Sequence, residues 1–385
     1  MDQIKTYQKK DSFHKLENKK NVEQIIIEKK VIRILKDKKI KKLFNIEEKK
    51  IIDTLEAEFS NINTKNEFGF KLRANTLAEI NSYDNDKDIA TYLVHRYKYE
   101  IYPLMKKIEK YPPLIQIEPS SICNFRCVFC FETDKTFTAK KSGHMGTMKL
   151  DLFKKIIDEI EGKIQFVTLA SRGEPLVSQE INNMIKYTSG KFLNLKINSN
   201  ASLLNEEKIH TILSSNVKTM VFSADAADSE LYKKLRVNGN LEKTVSNIRM
   251  FKSIQNKHYP KNKIITRVSG VKFSKEQNFD NMIKFWGELV DQVAFVDYNP
   301  WENSYEKDPN GLITPCSDLW RRMFVWWDGK INPCDVDYKS KLCMGNIDNS
   351  SIHDLWNSKN YNILRNSHIN KKRQTVSPCN ACTVI

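Results

Sequence analysis

Between residues 112 and 298 the chain repeats one pattern, an apolar run followed by a helical stretch, and that pattern limits the fold more than any other feature. Pro112-Pro113 closes whatever comes before. Apolar runs then fall at Leu114–Glu118, Ile164–Ala170, Leu193–Asn198, Thr219–Ala224, Ile264–Val271 and Val293–Tyr298. Between them Phe153, Ile156, Ile157 and Ile160, then Ile209, Ile212 and Leu213, then Val245, Ile248 and Phe251 recur at helical spacing. Strands apolar on both faces must be covered on both, and parallel neighbours need a crossover long enough to be a helix. The pattern predicts an α/β fold of right-handed βαβ units around a parallel sheet. Ligands of such sheets gather at the carboxyl ends of the strands.

The first of those ends carries Cys123-Asn-Phe-Arg-Cys127-Val-Phe-Cys130. Three thiolates at this spacing can hold three irons of a [4Fe–4S] cluster and leave the fourth open to a substrate or cofactor. A zinc knot or three buried cysteines are the plainer readings. Zinc motifs favour paired C-x2-C elements with a closed fourth ligand, and no His follows at a suitable spacing.

A second set lies near the C-terminus. Cys316 precedes the Trp-rich stretch Leu319–Trp327, Gly329 and Cys334 form a G-x4-C, and Cys379 and Cys382 form a C-x2-C. Four thiolates suit tetrahedral zinc or a second [4Fe–4S] cluster. Cys343 stands outside this set and reads as a core or free thiol.

With Phe129 just before its third cysteine, the first run resembles the cluster motif of the radical S-adenosylmethionine (radical SAM) enzymes, and the likeness extends roughly over residues 114–385. It implies a partial (β/α)6 radical SAM barrel over residues 111–300. It also implies SAM bound to the open iron and cleaved reductively to a 5′-deoxyadenosyl radical, with a flavodoxin- or ferredoxin-type electron donor. Gly173-Glu174-Pro175 resembles the family's Gly-Gly-Glu element, which binds the methionine amino group; Arg172 replaces its first glycine. The same resemblance gives the SAM carboxylate to Ser223 and Arg236, the ribose to Asn198 or Asn200, and the adenine to Val271 in Ser269-Gly270-Val271. C-x12-G-x4-C followed by C-x2-C resembles the Twitch/SPASM extension, here a small Fe–S domain over residues 301–385. The fuller seven-cysteine pattern is not met, so the resemblance implies one auxiliary [4Fe–4S] cluster on Cys316, Cys334, Cys379 and Cys382. An auxiliary cluster allows an oxidative outcome, which needs a base near the substrate. Asp297, at the end of the sixth apolar run, is the first candidate, with Asp225, Glu302 and Glu306 as alternates.

The N-terminal region, residues 1–110, reads as basic and helical. Residues 1–20 are polar and expected to fray. Val22, Ile25, Ile26, Ile34 and Leu35 suggest one amphipathic helix. Asn45 with Glu48 looks like a capping box opening a second, with Ile51, Ile52, Leu55 and Phe59 on one face. A third, aromatic helix spans about Ile89–Ile108, with Pro103 as a kink or break. The expected role is to cover one end of the barrel. The formal charge of +16 is concentrated here: residues 1–50 hold 16 Lys and Arg against 8 Asp and Glu. The rest is thinly spread Lys, which argues against a nucleic-acid partner. A charged start, no long apolar run and clustered cysteines predict a cytoplasmic protein without a membrane span. The leading functional expectation is oxidation or epimerisation of a small, carbohydrate-like metabolite. Peptide maturation is the second reading, weakened by an N-terminal region that lacks strand patterns, and nucleic-acid binding by an Fe–S or zinc protein is the third.

Overall fold

The computed structural model describes residues 22–60 and 69–385; the N-terminal residues expected to fray lie outside the described residues. Helix α1 (Val22–Lys36) buries Ile27, Val31, Ile34 and Leu35, while Ile25 and Ile26 are exposed. At 100° per residue the last two fall on the far side from Val31, so the expected face was mis-set at its N-terminal end. Helix α2 (Ile46–Phe59) begins with the expected capping box: Asn45 accepts from Glu48 N, and the Glu48 carboxylate accepts from Asn45 N. After α3 (Ala74–Asn81) comes the aromatic helix α4 (Asp86–Met105). Pro103 lies in its last turn, so the missing N–H falls where the helix is already ending, at left-handed Lys106.

The six apolar runs become β1 (Leu114–Ile117), β2 (Phe166–Leu169), β3 (Asn194–Ser199), β4 (Val217–Ser223), β5 (Ile265–Lys272) and β6 (Gln292–Asp297). They pair in chain order, and every pairing is parallel. Crossover helices include α5 (Leu150–Ile160), α6 (Ile181–Tyr187), α7 (Glu206–Ser214), α8 (Leu241–His258) and α9 (Phe279–Gly287). Their buried faces carry the residues expected from spacing, such as Phe153, Ile156, Ile157 and Ile160 on α5.

Three further strands of this sheet were not expected. Within the Trp-rich stretch, β7 (Arg322–Val325) runs parallel to β1, from Leu114 opposite Arg322 to Ile117 opposite Val325. Antiparallel β8 (Lys330–Asn332) and β9 (Gly345–Asn346) follow, giving a nine-stranded sheet in the order β9-β8-β7-β1-β2-β3-β4-β5-β6. The sheet and its core therefore run on from the barrel into the C-terminal region; Trp320, Met323 and Val325 pack in one cluster with Ile115 and Val167.

The N-terminal helices cover the amino ends of the strands. His95 of α4 stacks on Phe166, the first residue of β2, with ring centroids 3.3 Å apart. Tyr99 OH accepts from Arg322 Nε, at the start of β7, at 2.6 Å. The covering role is what the helices perform, and it leaves the carboxyl ends open to the cysteine loop.

Candidate active site

The loop after β2 is folded onto the loop after β1. A Cβ on Gly173 would lie 2.5–2.6 Å from backbone atoms of Ser120, Ser121 and Ile122, so only glycine fits. The close approach is made to the backbone that leads into Cys123. Arg172 does not copy the glycine it replaces. Its guanidinium donates twice to buried Glu118, at 2.6 and 2.7 Å, and once to Tyr338 O at 2.8 Å, and lies 4.2 Å from the Trp326 ring centre.

These contacts hold Cys123, Cys127 and Cys130 on the wall of one cavity of about 740 Å3. Burial pushes all three thiols up, Cys123 to about 12. Thiolates there therefore need a positive partner. A two-residue ribbon pairs Cys127 with Arg236 and brings an Arg236 terminal nitrogen to 3.8 Å from Cys127 Sγ.

Glu174 lines the same cavity and is fully enclosed. Its carboxylate accepts from Leu176 N at 3.0 Å, Ser199 Oγ at 2.8 Å and Asn200 N at 2.7 Å. Burial raises its pKa, and these bonds act against the rise. Asn198 also lines the cavity, and its buried Oδ1 has no partner among the described residues. Asn200 is already spent, donating to Asn124 and accepting from Ser202. Phe129, Ser223, Ser269 and Val271 complete this part of the wall.

The acidic candidates separate clearly. Asp225 forms a buried ion pair with Arg236 at 2.6 Å and accepts from Val271 N at 2.6 Å. It is a brace between β4 and β5 and is not free to act as a base. Arg236 is correspondingly shared between Asp225 and the cysteine loop. Glu302 is held by the Tyr298 hydroxyl and does not line the cavity; nor does Glu306. Asp297 does line it, about one-third exposed, with Lys272 Nζ at 3.9 Å. Sequence reasoning passed over Glu132, two residues beyond Cys130. It is buried 3.3 Å from Arg126, and burial pushes it up to about 8. An acid so close behind a cysteine run was the available signal.

Cys316, Cys334, Cys379 and Cys382 line a second, small pocket together, while Cys343 lies apart, its thiol donating to Gly345 O. Arg373, also overlooked, is wholly buried and donates to the carbonyls of Thr314, Cys379, Cys382 and Val384, clamping the terminal C-x2-C. His368 Nδ1 accepts from Cys316 N. Among the described residues no three His, Cys, Asp or Glu side chains are set closely enough for a single metal ion. Trp301 lines both pockets; it stacks on Phe131, beside Cys130, and packs against the cluster of Val336, Cys382 and Val384 that Cys316 and Cys334 also adjoin.

Residues 117–285 match the radical SAM superfamily, and residues 309–383 match SPASM, an iron–sulfur cluster-binding domain. A tungsten-containing aldehyde ferredoxin oxidoreductase cofactor-modifying protein from Pyrococcus furiosus is 21% identical over 299 residues, covering 65% of this chain and 82% of that one. The antilisterial bacteriocin subtilosin biosynthesis protein AlbA of Bacillus subtilis is 21% identical over 264 residues, covering 61% and 57%. Streptococcus suis SuiB bound to precursor peptide SuiA superposes with a TM-score of 0.56 at 17% identity, over 87% of this chain and 81% of that one. BtrN in complex with AdoMet and 2-DOIA gives 0.50 at 15% identity, over 72% and 94%. At such identities the structural likeness is one of fold. No helix among the described residues is long and apolar enough to cross a membrane. With its cysteine sites in the order of the two matched domains, the chain is a radical SAM enzyme with a C-terminal SPASM domain, and its cofactors are SAM and iron–sulfur clusters.

Proposed function

We propose that this enzyme oxidises or epimerises a small, carbohydrate-like metabolite through a 5′-deoxyadenosyl radical, assisted by one auxiliary cluster, in the cytoplasm and with a flavodoxin- or ferredoxin-type reductant. The observation that carries the reading is a barrel lumen floored by α4, with three cysteines on its wall and a second, four-cysteine pocket that shares Trp301 with it. Bound at these sites, the clusters supply with SAM a radical at the first and an electron acceptor at the second.

The chain's own groups would bind, orient and move protons. Cys123, Cys127 and Cys130 hold the first cluster. Glu174 has three of its roughly four acceptor positions filled, and the last takes one N–H of the methionine ammonium. The unpartnered Asn198 Oδ1 accepts from a ribose hydroxyl, Ser223 and Arg236 face the SAM carboxylate, and Phe129 and Val271 border the adenine. Asp297 is the base, since Asp225 is committed to Arg236. Cys316, Cys334, Cys379 and Cys382 hold the auxiliary cluster, residues 111–300 act as barrel and 301–385 as auxiliary domain, and the described part of the N-terminal region, 1–110, acts as floor.

A peptide-maturing reading is favoured by the overlap with SuiB. Against it, the described N-terminal residues form helices committed to the barrel floor, with no strand among them to grip a leader. Anaerobic reconstitution tests the proposal. About eight irons per chain and reductant-driven release of 5′-deoxyadenosine are expected. Cys127→Ala should lose four irons and abolish the release, whereas release from a variant lacking the first cluster would falsify the reading.

A further inference from the structure

The cavity continues far below the cysteine loop. It reaches the level at which β1 and β7 begin, about 13 Å beneath Glu118 at roughly 3.3 Å per residue. There its wall carries Arg321 and Arg322, at the entry to β7. Each guanidinium hydrogen-bonds through Nε alone, Arg321 to Asp318 at 2.6 Å and Arg322 to Tyr99 OH at 2.6 Å. Both lie over the Tyr99 ring, 4.9 and 5.5 Å from its centre. Their terminal nitrogens make no hydrogen bond among the described residues, although Arg322 is only 8% exposed.

None of these terminal nitrogens is a buried atom without a partner, so they open onto the cavity and can meet a ligand there. Two neighbouring guanidinium forks with their ends unspent match a planar or tetrahedral oxyanion. Nearby charge favours the same ligand. Lys106, over the Trp320 ring, and Arg267, bonded to Gln292 at the start of β6, line the cavity as well. Of the facing acids, Glu79 and Glu100 already pair with Arg267 and Arg96. Asp318 is divided between Arg321 and Arg322, and Asp335 and the C-terminal residue Ile385 also line the cavity.

The geometry points to an anion subsite at the lumen floor, in which Arg321 and Arg322 hold a carboxylate or phosphate group of the substrate. This rests on the function proposed above and narrows its substrate class. The metabolite is anionic, with its charged end at the floor and its reacting carbon higher, below the cysteine loop.

Inorganic phosphate and acetate, titrated separately into reconstituted holoenzyme at fixed ionic strength with chloride as balance, test the subsite through melting temperature. A saturable rise is expected, and the anion giving the larger one identifies the group as phosphate or carboxylate. Arg321→Gln should weaken the apparent affinity at least fivefold, and Arg321→Lys less. A rise no greater than that with chloride, or equal affinity in Arg321→Gln, overturns the subsite. If Arg321→Gln does not load iron, Arg321→Lys carries the comparison, and a wild-type affinity there overturns it likewise. Wild-type enzyme that cleaves SAM but binds neither anion refutes the subsite alone. Wild-type enzyme that binds an anion in this manner but releases no 5′-deoxyadenosine upholds the subsite and refutes the proposed reaction.

Discussion

His95 is a single residue on which the closure of the barrel floor leans. Its ring is buried flat against Phe166, and burial, with Arg96 and Lys98 nearby, depresses its pKa well below the usual histidine value. A histidine held neutral in the fold contributes stability that is present above its unfolded pKa, near 6.5, and lost as pH falls toward the folded value. Between the two values the loss approaches about 1.4 kcal/mol per pH unit. His95→Phe keeps the stacking and removes the proton. Melting followed from pH 7.5 to 5 should fall less steeply in this variant than in the wild type; parallel slopes would show that other groups govern the acid response. At this scale, legibility depended on how local a residue's job is. Gly173-Glu174 was marked by its loop position. The pairing of Asp225 with Arg236 was hidden, because each looked available until the ribbon at Cys127 brought the guanidinium back across the site.

Between elements, the Arg172–Glu118 pair fastens the loops after β1 and β2 to the C-terminal region, through Tyr338 O and the face of Trp326. Both side chains are almost wholly buried, 2% and 0% exposed. Removing one partner from such a pair leaves a desolvated charge and costs about 3–5 kcal/mol. Arg172→Ala should therefore destabilise by that order. Arg172→Met with Glu118→Gln should be milder, since no buried charge is left alone. Urea denaturation of both variants measures the difference, and equal losses would mean that Arg172 acts through packing only. The six strands β1 to β6 could be read because each is a buried apolar run bounded by turns. Strand β7 could not. Its four residues sit in a tract whose tryptophans and flanking cysteines draw the eye, and its partner β1 lies some two hundred residues earlier. Parallel pairing across such a gap leaves no local trace.

For the whole molecule, that pairing decides whether the barrel and the auxiliary region are separable. The sequence invites a cut near residue 300, where the alternating pattern ends. In the fold such a cut would strip β7 from β1 and expose the edge beside the cysteine loop. Arg172 would lose its acceptor at Tyr338, and Trp320, Met323 and Val325 would be removed from the core they share with Ile115 and Val167. An unpaired, apolar central edge is a site for aggregation, and burying one large side chain is worth about 1.5–3 kcal/mol. Losing these three, about 4.5–9 kcal/mol together, consumes most or all of the margin of about 5–15 kcal/mol on which domains of ordinary stability rest. Residues 1–300 expressed alone should accordingly be aggregated and unable to load iron. The full chain carrying Cys379→Ala and Cys382→Ala should remain folded, with about four irons in place of eight. Sedimentation, circular dichroism and iron analysis of the two proteins make the comparison. A monomeric, iron-loaded 1–300 fragment would show that the sheet across residue 300 is a convenience of packing, and that the two cysteine sites evolved as separable parts.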